Sequence, residues 1–183
     1  ASGKGALSLE LARRRGAVVL SCDSMKVYRG IDVAAAIHGG MLRVEGSQVQ
    51  PVNPVRPVVA WSGEPAHTGP RVAAYQAWKE TDKKAHAQFL AQSASIVNRF
   101  EENPVEALRA AGATLEAMAT AAGIPYLTPA LVRIRDLARQ FGGSAKPSGA
   151  GGGDCAVALF PHPDDETAFA RAAKEAGIQL IEV

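Results

Sequence analysis

Apolar residues recur at every third or fourth position through the middle of the chain, the spacing of helices that bury one face. This spacing predicts four consecutive helices, over residues 71–79, 84–101, 105–122 and 129–141. Asn103-Pro104 separates the second helix from the third, and Gly123 with Pro125 separates the third from the fourth, since proline and glycine favour helix ends. A helical block over residues 71–141 is therefore expected in the centre.

Short apolar runs on both sides of this block predict strands. They lie at 17–21, 41–49 (interrupted at Gly46), 58–61, 155–160 and 178–183. Two further helices are predicted at 8–15 and 163–176, the second with acidic residues in its first turn, where the helix dipole favours them. Strands and helices do not alternate regularly, which favours an α+β fold over a doubly wound parallel sheet.

Composition and charge narrow the class of protein. Of the 183 residues 47% are hydrophobic, and the net charge is +2 from 20 basic and 18 acidic residues. A core can be buried, and no clustered basic face predicts a nucleic-acid partner. Cys22 and Cys155 lie far apart and fit neither a zinc spacing nor a disulfide framework, so no metal site is assigned and a reduced cytoplasmic protein is expected. The sequence shows no signal peptide, and no apolar run reaches the ~18 residues that a membrane-spanning helix needs.

The segment Lys146-Pro147-Ser148-Gly149-Ala150-Gly151-Gly152-Gly153-Asp154-Cys155 carries the strongest chemical signal. Its four glycines within five residues cost backbone entropy, which is justified where a backbone must approach a ligand closely. Successive N–H groups in such a loop can form a concave nest for an anion. Lys146 and Ser148 would add a charge and a hydroxyl. A flexible linker is the alternative, but the strand predicted at 155–160 follows the loop directly and counts against it.

This segment resembles the third signature motif of the GHMP kinases, and its sequence is most similar to that of the phosphomevalonate kinases of that family. The resemblance extends from residue 32 to residue 183 and includes Trp61-Ser62-Gly63-Glu64-Pro65-Ala66 before the helical block. It implies a ferredoxin-like α+β unit with the helical block attached. It also implies ATP and Mg²⁺ as cofactors, and a phosphorylated small molecule as the phosphoryl acceptor. In that family the loop positions the acceptor and closes around the phosphates.

Asp32 opens a second segment that resembles the GHMP kinases, Asp32-Val33-Ala34-Ala35-Ala36-Ile37-His38-Gly39-Gly40. The family's aspartate sits beside the acceptor oxygen. Carried over, Asp32 would orient phosphomevalonate, or take its proton, during attack on the γ-phosphate of ATP. An ordinary helix N-cap is the alternative for Asp32. His38, a lone histidine beside two glycines, is interpreted as structural.

The first 31 residues resemble a different family. Ala1-Ser2-Gly3-Lys4-Gly5 is similar to the end of a Walker A loop, although Gly5 stands where the motif has a hydroxyl. Residues 21–30 resemble the segment that follows the P-loop in tRNA dimethylallyltransferases, with Lys26 where that family usually has Gln. The resemblance implies that Gly3 and Lys4 bind a diphosphate and that Asp23 is the catalytic aspartate.

The two resemblances meet at residues 30–33, which predicts a chimera of a P-loop-like segment (1–31) and a GHMP C-terminal-like domain (32–183). The kinase part would then lack the family's N-terminal half, with most of the ATP site and the magnesium ligands. Three functions stay open: ATP-dependent phosphoryl transfer to phosphomevalonate, a non-catalytic protein that keeps an anion-binding loop, and prenyl transfer to tRNA. An apolar face left by a missing domain is expected to favour a homodimer or aggregation.

Overall fold

A computed structural model of the chain describes residues 41–45 and 48–181. The chain divides into two compact units between Val55 and Arg56. The helix predicted at 8–15, the strand predicted at 17–21 and the expected boundary between residues 31 and 32 lie outside the described residues.

The described part of the first unit is a β-hairpin. Strand β1 (Leu42–Glu45) pairs antiparallel with β2 (Gln48–Pro51), with Leu42 opposite Pro51 and Glu45 opposite Gln48. The prediction of one interrupted strand over 41–49 is therefore wrong. Two residues, Gly46 and Ser47, separate the two strands, and a two-residue link that contains glycine is typical of a hairpin.

The second unit combines one four-stranded antiparallel sheet with five helices. The strands are β3 (Val58–Trp61), β4 (Ser144–Pro147), β5 (Cys155–Leu159) and β6 (Gln179–Ile181), in the order β4-β5-β3-β6. The helices are α1 (Thr68–Thr81), α2 (Lys83–Asn98), α3 (Pro104–Ala121), α4 (Pro129–Gln140) and α5 (Pro163–Glu175). The sequence of elements β3–α4–β4–β5–α5–β6 is ferredoxin-like, and α1–α3 are inserted between β3 and α4. The α+β prediction with a helical block is confirmed.

Three of the five helices, α2, α3 and α4, begin where a preceding side chain caps a free backbone N–H group. The side chains of Asp82, Asn103 and Thr128 accept hydrogen bonds from the N–H groups of Ala85, Glu106 and Leu131. Proline opens α3, α4 and α5, where its missing N–H costs nothing. These local signals explain why the predicted bounds of the last four helices agree with the structure to within three residues.

The core lies between the sheet and the helices α4 and α5. Its largest fully buried side chains are Phe169, Leu131 and Ile134. The sheet presents small residues to them, namely Ala60, Ala156 and Ala158, each 2% exposed or less. Small side chains on the sheet let the two helices approach closely and leave the volume to the larger helical side chains.

Strand β4 ends just before the glycines at 149–153, and the apolar pattern did not predict it. All four of its residues are buried, and it pairs with β5 from Ser144 opposite Leu159 to Pro147 opposite Ala156. Ser-Ala-Lys-Pro has too little apolar character to predict a buried strand, so only its pairing with β5 reveals it. The glycine-rich loop is therefore the connection of a β4–β5 hairpin.

No helix within residues 41–45 and 48–181 is long and apolar enough to cross a bilayer.

Candidate functional site

The candidate site is the glycine loop, residues 148–154, which joins β4 to β5. A hydrogen bond from the N–H of Ser148 to the carbonyl oxygen of Cys155, 2.8 Å long, closes its base. Gly149, Gly151 and Gly152 have φ angles of +96°, +72° and +69°. Residues with a side chain rarely adopt such φ angles, so the backbone of the loop favours glycine at these positions.

One flank of the loop is held by the segment between α3 and α4. The N–H of Gly152 donates to the carbonyl oxygen of Tyr126 at 2.6 Å, and a Cβ on Gly151 would overlap the Tyr126 ring. The Arg71 guanidinium donates to the carbonyl oxygen of Gly152 at 3.3 Å and to that of Pro125 at 3.5 Å. A flexible linker would make no such contacts, so the loop has one packed conformation.

The other flank of the loop is held by Asp154 and the segment after β3. Asp154 has a φ of +55°, unusual for a residue with a side chain. Its N–H donates to the carbonyl oxygen of Glu64 at 2.6 Å, and its carboxylate accepts from the N–H of Ala66 at 3.0 Å. The carbonyl oxygen of Asp154 accepts from the N–H of Ser62 at 2.9 Å. The segment 61–66 therefore holds the C-terminal end of the loop at Asp154.

The loop presents unused hydrogen-bond donors. The N–H groups of Gly149, Ala150 and Gly151 donate to no acceptor within the described ranges. Positive φ angles at Gly149 and Gly151 flank Ala150, a pattern that turns successive N–H groups toward one side. Three adjacent N–H donors can bind the oxygens of a phosphate group. The half-buried Ser148 stands beside them with its hydroxyl.

Lys146 lies in β4 rather than in the loop. It is 4% exposed, and its ammonium donates to the carbonyl oxygen of Pro147 at 3.0 Å. Helix α3 approaches it at Gly112, where an added Cβ would stand 3.3 Å from the Lys146 Cβ. The structure thus brings Lys146 next to the loop but buries its side chain, and its role as a phosphate ligand stays a prediction.

The remaining predicted site residues lie outside the described part of the chain. They are Gly3, Lys4, Asp23 and Asp32, together with His38. Among the described residues no three histidine, cysteine or acidic side chains converge on a point. The loop therefore fits a phosphate group, whereas the described residues offer no ligand set for Mg²⁺, and no step is assigned to that ion.

Two residues at the loop have raised pKa values. Burial raises the pKa of the Cys155 thiol, and the neighbouring Asp154 carboxylate adds to the effect. Burial also raises the pKa of the Tyr126 phenol well above its usual range, with a smaller effect from Glu116. Both groups are therefore neutral at pH 7.

Sequence reasoning did not select Tyr126, Arg71 or Asp154 as parts of the site. The segment 61–66 was noticed through its resemblance to the GHMP kinases, but its contact with Asp154 was not predicted. No local pattern marks Tyr126 or Arg71, which lie more than twenty residues from the loop in sequence.

Comparisons with known proteins agree with this architecture. The model of the GHMP kinases C-terminal family matches residues 95–179. Phosphomevalonate kinase of Streptomyces sp. (strain CL190) is 34% identical over 110 residues, which cover 56% of this chain and 29% of that protein. A tRNA dimethylallyltransferase of Geobacter metallireducens is 58% identical over only 36 residues, 12% of that protein. The resemblance to that second family is therefore a short segment match.

Solved structures show the same fold. The Lin0012 protein from Listeria innocua is 26% identical with a TM-score of 0.68, covering 74% of this chain and 41% of that one. Streptococcus pneumoniae phosphomevalonate kinase in complex with phosphomevalonate and AMPPNP has a TM-score of 0.61 at 23% identity, covering 82% and 45%. The chain spans less than half the length of each of these relatives. Taken with the sheet order and the glycine loop, these matches show that the chain has the fold of the GHMP kinase C-terminal domain and matches that family over residues 95–179.

Proposed function

We propose that this chain contributes the acceptor side of an ATP-dependent phosphoryl transfer to phosphomevalonate, which gives diphosphomevalonate. One observation carries the proposal: three adjacent N–H groups, of Gly149, Ala150 and Gly151, are free to bind a phosphate in a loop of fixed shape. The Streptomyces relative is a phosphomevalonate kinase, which supports the choice of acceptor.

The loop would act by positioning and by neutralising charge, the main requirements of phosphoryl transfer. Its N–H groups would bind phosphate oxygens, with the Ser148 hydroxyl as a further donor and Lys146 as the nearest cation. The terminal phosphate oxygen of the acceptor attacks the γ-phosphorus of ATP, and the bond to the bridging oxygen breaks to release ADP. Asp32 would orient the attacking oxygen.

Release of ADP from ATP, magnesium and phosphomevalonate tests the proposal. The chain is compared with Ser148→Ala, Asp32→Asn and the control Ser95→Ala, which removes an exposed hydroxyl on α2. We expect turnover in the chain and the control, a loss of at least about tenfold in Ser148→Ala, and none in Asp32→Asn. Mevalonate in place of phosphomevalonate should support little turnover.

Folded protein without turnover would contradict this function. Thermal protection by phosphomevalonate, lost in Ser148→Ala, would then support a non-catalytic protein that keeps the anion-binding loop. Binding at 100 times Kd stabilises a protein by about 2.7 kcal/mol, which gives a visible shift of Tm.

Prenyl transfer to tRNA through Asp23 and Lys4 is a second candidate, favoured by the 36-residue match. A gel shift with tRNA at low salt tests it, because non-specific contacts to the phosphate backbone are strongest there. No shift under these conditions would dispose of this candidate. The two-part organisation, 1–31 and 32–183, and the homodimer are likewise proposals.

A further inference from the structure

A second group of cationic side chains lies around a cleft lined by residues of α3, α4 and β4. The cleft, called here the α3–α4 cleft, has a volume of about 40 Å³ and opens to solvent. It is bordered by α3, by Tyr126 and Leu127, by α4 and by β4. Its charged lining residues are Arg109, Glu116, Arg135, Arg139 and Lys146.

Four cationic side chains and one carboxylate line the cleft, and Arg109 also lies 2.8 Å from Glu106, outside the lining. Arg135 lies 3.3 Å from Glu116 and 3.0 Å from Asp136. Arg139 lies 3.7 Å from Asp136, outside the lining. Because these carboxylates are half exposed, their ion pairs leave much of the guanidinium charge available to an incoming anion. A converging set of guanidinium groups is the usual protein device for binding oxyanions.

Tyr126 supplies an independent sign of a ligand. It is 5% exposed and lines the cleft, and its hydroxyl oxygen has no hydrogen-bond partner among the described residues. A buried phenol without a partner costs free energy that folded proteins seldom leave uncompensated. Burial keeps this hydroxyl protonated, so it is a donor, and a donor beside several guanidinium groups is matched by an oxygen anion.

We propose that the α3–α4 cleft is a second oxyanion site, separate from the glycine loop, for an anion of the size and charge of inorganic phosphate. Arg109, Arg135 and Arg139 bind the anion from the rim. The Tyr126 hydroxyl donates to it from the floor. Phosphate binding at this site does not require kinase activity, so this proposal can be tested separately from the proposed function.

Titration of the chain with sodium phosphate tests the site. Ionic strength is held constant with sodium chloride, and binding is followed by Tm and by the ³¹P line width. The variants are Tyr126→Phe and the double variant Arg109→Gln with Arg139→Gln, whose guanidinium groups are half exposed and tolerate replacement. The control is Arg171→Gln, an exposed residue of α5 outside the cleft.

We expect saturable binding of phosphate to the chain and to the control. The double variant should bind phosphate at least about tenfold more weakly, because charged hydrogen bonds to the anion are lost. Tyr126→Phe should also bind more weakly, although its Tm without phosphate is no lower than that of the chain. The absence of saturable binding, or equal affinity in all four proteins, would overturn the proposal and assign any bound phosphate to the glycine loop or to the surface.

Discussion

Tyr126 and Gly152 are joined by a hydrogen bond of 2.6 Å from the N–H of Gly152 to the carbonyl oxygen of Tyr126. Through this bond the connection between α3 and α4 sets the position of the glycine loop. The two segments are distant in sequence, since Ala150 of the loop follows Thr128 of the connection by 22 residues. The side chain of the same tyrosine lines the α3–α4 cleft. One residue therefore contacts both places where this domain is proposed to bind an anion.

Replacement of Gly151 by alanine should destabilise the domain more than replacement of Gly149. Both residues have positive φ, which costs a residue with a side chain about 1–2 kcal/mol. A Cβ at 149 meets nothing within 4 Å, whereas one at 151 overlaps the Tyr126 ring. We expect Gly151→Ala to lower the free energy of unfolding by at least about 1 kcal/mol more than Gly149→Ala, as measured by urea denaturation. Equal losses would show that Tyr126 moves aside freely.

Asp154 should tolerate asparagine better than alanine. Asparagine also adopts positive φ, and its carbonyl oxygen can accept from the N–H of Ala66 as the carboxylate does. Asp154→Ala removes this acceptor and should lower the free energy of unfolding by about 1–3 kcal/mol. Asp154→Asn should lower it by less than half as much. If the two variants lose the same stability, the negative charge matters rather than the hydrogen bond.

Stability should fall above pH 10 because of Tyr126. Burial raises the pKa of its phenol in the folded protein, so the unfolded chain loses the proton first, near the ordinary tyrosine pKa of about 10. The contribution is thus fully present below pH 10 and declines above it, by up to about 1.4 kcal/mol per pH unit. Urea denaturation at pH 8 and pH 10.5 should show this decline in the chain relative to Tyr126→Phe. Parallel curves for the two proteins would contradict it.

Cys155 should react slowly with iodoacetamide at pH 8, since burial and the Asp154 carboxylate raise the pKa of its thiol. Peptide mapping by mass spectrometry separates it from Cys22. The pH midpoint of its alkylation should lie above that of an unstructured cysteine peptide. Asp154→Asn should move the midpoint down by removing the charge. A midpoint unchanged by this substitution would leave burial as the whole cause.

The sequence predicted the helical block and the class of fold well, because the signals there are local. Asn103 and Thr128 cap helices next to prolines, and the apolar spacing of α3 and α4 repeats over several turns. Strand β4 was not predicted, since Ser144–Pro147 is defined by its pairing with β5 rather than by its own residues. The hairpin β1–β2 was mistaken for one strand for the same reason.

The candidate site was likewise predicted only in part. The glycines between 149 and 153 predicted a loop that binds an anion. Their positive φ angles explain why glycine is needed there, and anion binding stays a prediction. Tyr126, Arg71 and the Asp154–Ala66 contact come from distant parts of the chain, so no motif could reveal them. The α3–α4 cleft likewise combines arginines from two helices, whose meeting depends on the tertiary packing.

The insertion of α1–α3 between β3 and α4 has a consequence for the order of folding. Trp61 of the central strand β3 pairs with Cys155 of β5, and its other neighbour, β6, comes still later. During synthesis β3 cannot pair along either edge until almost the whole domain has been made, whereas the helices can already form locally. A nascent chain that ends before Cys155 therefore exposes an unpaired apolar strand, and this is the interval in which the protein is most exposed to misassembly.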